Sequence, residues 1–320
     1  AKPDPDMLTY PHWFGIVRLI SFLIQHLMEV RIKNSHSQGN QYSITNKGVR
    51  TFSKKELEDL VKDSGFAHSF FYYPLPDYKL PTVLYSQKQL PKNENMHNLQ
   101  PYYIPDRSTL VVDEMGVYKD VIENGVFEFF ANSFLVECSD DGHLGRVTFS
   151  CFSTERKEKY RIATLFTDEG KVEKLPLNET EGAAHIWQCV KNGLALQKAG
   201  KNVLPMQLKN GRLVSDFVQG QSLEERVLAA VKRKNKFEVC RILDQVYQEI
   251  LSSSQHIAAE ENIFYTMEID KEVNADKYGP ILKVGFIDMI LRNAFYIDGN
   301  IQWFDQEWVL ECVPAGYVFY

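Results

Sequence analysis

The sequence predicts two domains of mixed fold, α/β followed by α+β, and three observations carry that reading. Helix-type and strand-type hydrophobic patterns alternate along the chain from residue 53 onward. A polar run, Ser139-Asp-Asp-Gly-His143, then separates a first half built on one aromatic strand from a second half with a different rhythm. Beyond that run, short strands joined by hairpin signals give way to capped helices, and a last hairpin falls near the end of the chain. The 320 residues suffice for two domains of ordinary size.

Residues 1–44 have no assignable fold. Their most apolar stretch, Trp13 to Ile32, is interrupted by Arg18, Gln25, His26 and Glu29. It falls short of the roughly 18 uncharged apolar residues a membrane-spanning helix needs. It also lacks the basic start and small-residue cleavage site of a signal peptide, so a helix covered by protein is expected there. The chain opens on Ala1 and stops on the apolar run Val313 to Tyr320, which reads as a piece of a longer protein.

From Ser53 the pattern sharpens. Ser53-Lys-Lys-Glu56 is a capping box, Leu57, Leu60 and Val61 share one helix face, and Gly65 closes the helix. Ser69 to Tyr73 is an aromatic strand that Pro74 and Pro76 interrupt, and Thr82 to Tyr85 a short second one. Residues 86 to 110 are polar and loop-rich. A helix follows around Asp113 to Glu123, ending at Gly125, and Ala131 to Cys138 reads as a further strand.

In the second half, Arg146 to Phe152 and Tyr160 to Phe166 are strands, and Asp168-Glu-Gly170 turns into the strand Val172 to Leu175. Asn178-Glu-Thr-Glu181 caps a helix that runs to Gly200. Asn210-Gly211 joins Val203 to Gln207 with Arg212 to Val218 in a hairpin. Gly220 is a hinge, and Ser222-Leu-Glu-Glu225 caps the next helix. A longer amphipathic helix follows, with Phe237, Cys240, Leu243, Tyr247, Ile250 and Leu251 along one side.

Composition narrows the function. Hydrophobic residues make up 44% and charged residues 24%, typical of soluble globular protein. A net charge of -6 argues against a general nucleic-acid binder, which needs basic surface to neutralise phosphates. The five cysteines stand singly, without paired metal spacing. That odd, dispersed count fits reduced thiols in the cytoplasm better than a disulfide framework.

The chemistry-bearing constellation lies near the C-terminus: Asp288-Met-Ile-Leu-Arg-Asn293, a hairpin, then Trp303-Phe304-Asp305-Gln306-Glu307-Trp308. An Asp, an Asn five residues on and a second Asp beyond a hairpin form a kinase-type layout. The first Asp orients or deprotonates an acceptor hydroxyl, while the Asn and second Asp hold Mg²⁺ on the ATP phosphates. If Asp298-Gly299 is the turn, Ile297 pairs with Asn300, and counting outward places Arg292 opposite Asp305 with Asn293 one step away. Two oxygen-bearing side chains then gather at the open end of one hairpin, and Mg²⁺ prefers such ligands. Lys174 stands on the strand before the first long helix of this half, where a lysine can neutralise the α- and β-phosphates. Ordinary turn polars and an exposed strand lysine are the plain alternative for these residues.

Asp216-Phe-Val-Gln-Gly220-Gln-Ser-Leu-Glu-Glu225 resembles the hinge of aminoglycoside-phosphotransferase-like and lipopolysaccharide kinases, which ends in an apolar-x-Gly-x-Ser/Thr-Leu pattern. The resemblance implies a two-lobed, protein-kinase-like fold over residues 143–320. Backbone groups around Phe217 to Gln219 would bind the adenine edge, Lys174 would clamp phosphates, Asp288 would act as base, and Asn293 and Asp305 would bind Mg²⁺. The chain departs from that family's pattern in three places. Gly285-Phe-Ile-Asp288 replaces the usual residues before the first Asp. No two glycines stand one residue apart to form a phosphate loop, and the helix after Lys174 has acids only at Glu179 and Glu181.

Upstream, Gly48 to Phe66 and Phe70 to Tyr85, with the later run Phe129 to Val136 as last strand, resemble the tail of a class I S-adenosylmethionine methyltransferase. That implies a partial methyltransferase-type α/β sheet over residues 45–142. The cofactor half would lie in a longer parent, because no glycine-rich turn after a first strand is present. Together the two resemblances point to bacterial O-antigen methyltransferase–kinase proteins. They imply a cytoplasmic transferase, at the inner face of the membrane, using Mg-ATP on a saccharide or phosphosugar acceptor in cell-surface polysaccharide synthesis. Two alternatives stand beside it: a catalytically dead scaffold that docks a glycosyltransferase, and a parent protein whose principal activity is methyl transfer.

Overall fold

The computed structural model describes residues 52–76, 78–93, 114–266, 278–297 and 299–319. The readings placed on residues 1–51, on most of the loop-rich stretch and on Asp298 lie outside these. Helices alternate with antiparallel strands in an α+β arrangement, and the chain divides into two units. The first comprises Ala1–Ser153 with Leu165–Glu169, the second Thr154–Thr164 with Gly170–Tyr320.

In the first unit, helix α1 (Lys54–Asp63) starts where Ser53 accepts the Glu56 N–H and Glu56 returns the bond to the Ser53 N–H, the expected reciprocal cap. Strands β1 (His68–Leu75), β2 (Val83–Ser86), β3 (Leu135–Ser139) and β4 (Val147–Phe152) form antiparallel ladders in the order β3-β1-β2-β4. Strand β1 runs through Pro74, which the sequence reading took as an interruption. Pro74 pairs with Leu84 of β2, while the β3 ladder on the other side has already ended at Tyr72. A residue without an N–H is tolerated on such an unpaired flank.

Helix α2 (Glu114–Glu123) and the one-turn helix α3 (Phe127–Phe130) cover this sheet. The expected strand from Phe129 is therefore shorter, beginning at Leu135. Phe127 and Ala131, four residues apart, are both buried against Tyr73 and Tyr118, and that helical spacing wins over local strand propensity.

The second unit holds β6 (Lys171–Pro176), β7 (Met206–Lys209) and β8 (Arg212–Asp216), paired antiparallel in the order β6-β8-β7; the division between units falls within β5 (Ile162–Thr167). Helix α4 (Glu179–Lys198) begins at Asn178, whose side chain accepts the N–H groups of Thr180 and Glu181. Helices α5 (Leu223–Lys232) and α6 (Lys236–Leu251) follow, α5 with the full Ser222–Glu225 capping box. After the short β9 (His256–Ile257) and α7 (Ile263–Thr266) come β10 (Ile281–Phe286), the hairpin β11 (Ala294–Ile297) and β12 (Asn300–Trp303), β13 (Val309–Pro314) and α8 (Ala315–Phe319).

One apolar cluster joins these helices and strands. Trp303 is its centre, with no exposed surface and its indole N–H donated to Glu249 at 3.2 Å. Leu223, Ile242, Val246, Ile250, Leu282 and Val313 pack in the same cluster. This core fixes the root of the β11–β12 hairpin, and so the residues at its open end. Among the described residues, no helix is long and apolar enough to cross a membrane.

Candidate functional site

Lys174 is aimed by the alternation of β6. Its neighbour Glu173 is buried on the opposite face, where Arg212 meets it at 2.9 Å, so Lys174 points the other way. Helix α4 lies close over that strand because Gly182 has no side chain. A Cβ there would stand 2.4 Å from the Pro176 Cβ. The buried face of α4 then presents His185, Cys189 and Asn192.

Asp288 sits just past the end of β10, before the 3₁₀ turn Leu291–Asn293. The hairpin register is the one counted from the turn, Ile297 opposite Asn300 and Ala294 opposite Trp303. It extends one step further, because the Phe304 N–H donates to the Asn293 carbonyl at 3.0 Å. The segment 304–308 is tied by backbone at its ends, the Trp308 carbonyl accepting the Ile287 N–H at 3.0 Å, and side chains secure the residues between. Asn192 donates to the carbonyls of Gln306 and Glu307, at 3.2 and 2.9 Å. Gln306 is itself buried and donates to the Asp288 carbonyl at 3.0 Å and the Phe304 carbonyl at 2.9 Å.

Asp288 closes the network. One carboxylate oxygen accepts the N–H groups of both Glu307 and Trp308 at 2.7 Å, and its carbonyl accepts the Asn293 amide at 3.2 Å. Burial pushes the Asp288 carboxyl up to about 6, the Asp305 and Glu307 carboxylates add to this, and the two backbone N–H groups oppose it. Asp305 adopts a left-handed backbone at φ 57°, a conformation that Asp tolerates better than most residues. That turn brings its carboxylate onto the Lys174 ammonium, forming an ion pair across 131 positions of sequence.

A second acid, missed by the sequence reading, is bound more deeply. Glu307 has 6% of its side chain exposed, with Lys174 at 3.1 Å, Arg156 at 2.5 Å and His185 at 3.4 Å. Burial alone would raise the Glu307 carboxyl, yet His185, Lys174 and Arg156 together hold it well below the usual carboxylate range. Burial likewise works against the Lys174 ammonium, but Asp305 and Glu307 outweigh it and keep the lysine firmly charged. Two cations, Lys174 and Arg156, thus face two carboxylates, Asp305 and Glu307.

The ion-pair partners of Lys174 among the described residues are the two acids of segment 304–308, while Glu179 and Glu181 stand in the first turn of α4. Glu307 stands two residues beyond Asp305, but the left-handed backbone of Asp305 breaks strand alternation, so no spacing rule announces it. Arg156 and His185 have no such signal either.

At the hinge, the Phe217 N–H donates to the Gly170 carbonyl at 2.9 Å, so that donor is committed to the sheet; the side chains of Phe217 and Gln219 are exposed. Beyond them, a Cβ added at Gly220 would stand 3.8 Å from the Phe295 Cδ1, an ordinary contact. Phe295 stacks on Phe304 with centroids 4.7 Å apart and planes 20° apart. Among the described residues, no cluster of three or more His, Cys, Asp or Glu side chains is set to hold a metal ion. The pair available, the Asp305 carboxylate and the buried Asn293 amide, is a hard-oxygen set of the size Mg²⁺ uses when phosphates and water complete its shell. No protein-family model matches the chain, and no curated protein matches it significantly.

Proposed function

We propose that residues 154–164 and 170–320 form a kinase-like phosphotransferase domain, moving phosphate from Mg-ATP to a saccharide hydroxyl. The observation that carries this reading is the ion pair of Lys174 with Asp305 beside an Asp288 to which both Asn293 and segment 304–308 are fastened. Lys174 neutralises the phosphates. Asn293 and Asp305 hold the metal, which when bound offsets charge on the transferring phosphoryl group. Asp288, with one oxygen held by two backbone N–H groups, takes the acceptor's hydroxyl proton on the other oxygen. The alkoxide oxygen gains the phosphoryl group and ADP leaves. A carboxyl titrating near 6 is anionic at neutral pH and basic enough for that role. The Phe295–Phe304 stack offers an apolar platform for a nucleobase.

One observation favours a non-catalytic alternative, a scaffold that docks a glycosyltransferase: Lys174 already has both Asp305 and Glu307 as partners. Thermal unfolding with and without Mg-ATP separates the two. Ligand at 100 times its dissociation constant stabilises by about 2.7 kcal/mol, and Asp305→Ala abolishes that gain. Absence of any Mg-ATP shift in the unmodified chain refutes the phosphotransferase reading, as does a shift that Asp305→Ala leaves intact.

A further inference from the structure

Behind the ion-pair group, the second unit contains a cavity of about 320 Å³ that the proposed phosphotransfer chemistry leaves unused. Its walls are aromatic. Tyr160 stands edge-on to Trp308 with centroids 4.8 Å apart and planes at 77°, and His185 lies 5.0 Å from Trp308 and 5.2 Å from Tyr160. Lys159, Glu181 and Gln188 bring polar groups to the same cavity. The size is at the small end of ligand pockets, which run from about 300 to 1,000 Å³ and combine apolar walls with a few placed polar groups.

His185 is the second, independent sign of a ligand. Its ring is buried and lines the cavity, and its Nε2 makes no well-aligned hydrogen bond, facing Glu307 only across a long 3.4 Å. A buried nitrogen without a well-aligned partner is costly unless something else supplies the bond.

Charge selects the ligand class. Glu307 is already matched by Lys174 and Arg156, so it has no spare negative charge for a cation. The Lys159 ammonium sits 4.8 Å over the Tyr160 ring, taking the aromatic face a quaternary amine would use. An anion would meet Lys159 but also the Glu181 and Glu307 carboxylates. What remains suited is an uncharged ring with one apolar face and hydroxyls at its edge. The amide nitrogen of Gln188 is committed to Asn192 at 2.8 Å, which leaves its oxygen to accept from such a hydroxyl.

We infer that this cavity is a saccharide-binding site, in which one neutral pyranose ring stacks against Trp308, bounded by the edge of Tyr160, and places its hydroxyls on Gln188, Glu181, Lys159 and His185. The backbone N–H of Trp308 holds Asp288, so a sugar seated on that indole touches the residue that anchors the proposed base. Binding at the cavity does not depend on the phosphotransferase reading.

The test uses the full chain without nucleotide or Mg²⁺. The methyl α-pyranosides of glucose, mannose and galactose are titrated while indole N–H resonances are followed by NMR, Trp308 among the four tryptophans being assigned with Trp308→Phe. For a ligand of this size, at least one pyranoside gives a saturable Trp308 shift with a dissociation constant on the order of 1 mM. Tyr160→Ala weakens it tenfold or more. Gln188→Ala, which removes no buried ring, weakens it severalfold and serves if the first variant fails to fold. Choline and inorganic phosphate, titrated in parallel, leave the resonance unmoved. No saturable pyranoside shift overturns the inference, as does equal affinity in the folded variants or tighter binding of choline or phosphate. A Mg-ATP thermal shift recorded separately distinguishes failure of this site from failure of the phosphotransferase proposal.

Discussion

Glu307→Gln tests the ion-pair group directly. The substitution keeps the shape and removes one negative charge from a side chain that is 6% exposed and faces Lys174, Arg156 and His185. Deleting one partner of a buried pair costs about 3–5 kcal/mol, because the cation left behind stays desolvated. Two features of this site place the loss at the low end. Lys174 retains Asp305, and Arg156, with 32% of its side chain exposed, can turn to water. A loss of about 3 kcal/mol in a unit of this length lowers its melting temperature by roughly 6–12 °C.

The pH dependence fixes the cause. A carboxyl held below its usual value in the folded state contributes stability that is present above the unfolded pKa, about 4.3, and lost as pH falls beneath it. The gap between the natural chain and Glu307→Gln is therefore full at pH 7 and shrinks on acidification below about pH 4.3. Differential scanning calorimetry between about pH 7 and pH 2.5 measures both. A gap under about 2 °C at pH 7, or one that does not shrink on acidification, refutes the claim that the charge of Glu307 holds this group together.

Other residues give independent outcomes. Asp288→Asn abolishes phosphotransfer yet leaves the chain about 1–3 kcal/mol more stable at pH 7.5. A carboxyl raised to about 6 opposes folding when ionised, so the advantage falls as pH drops through 6, is roughly halved at about pH 5 and is lost below the unfolded value of about 3.9; melts at about pH 7.5, 5 and 3.5 check it. Burial pushes the Cys189 thiol up to about 12, so at pH 7.5 iodoacetamide modifies the exposed Cys240 and spares Cys189 until the chain unfolds, as peptide mass mapping will reveal. Gly285→Ala puts a Cβ 2.3 Å from the Val313 Cγ1 and 2.8 Å from the Val318 Cγ2. The strain costs about 1–3 kcal/mol, read from urea denaturation.

What could be read from the chain beforehand follows the range of the interactions involved. The caps at Ser53 and Ser222 and the Ile297–Asn300 register need only neighbours within a few residues, and each is present as expected. The one-turn helix at Phe127 was misread as part of a strand because its burial against Tyr73 depends on a partner more than fifty residues away. Strand β7 begins at Met206, later than expected. Val203 is instead drawn beside Trp303, where the Trp303 N–H donates to the Asn202 carbonyl and its own carbonyl accepts from Leu204. At the candidate site, the hairpin count puts Asn293 beside the Phe304–Asp305 step, as its register shows, whereas Asp288 lies outside that count and joins the segment through the Glu307 and Trp308 N–H groups. Arg156 and His185 reach Glu307 only through the fold of the whole unit, and no spacing along the sequence announces such a meeting.

The origin of the lysine's acids has a consequence for control. Where the partner of such a lysine is a glutamate on the following helix, displacing that helix disconnects the lysine, and regulation can act there. Here Asp305 and Glu307 belong to the same short segment that Asp288 and Asn192 pin down. Tilting α4 outward would remove His185 and loosen Asn192 while leaving Lys174 tied to both acids. For the phosphotransferase proposed above, the off-state is then a rearrangement of residues 304–308 themselves, and a molecule intended to silence it has to pry that segment from Asp288 rather than push a helix aside.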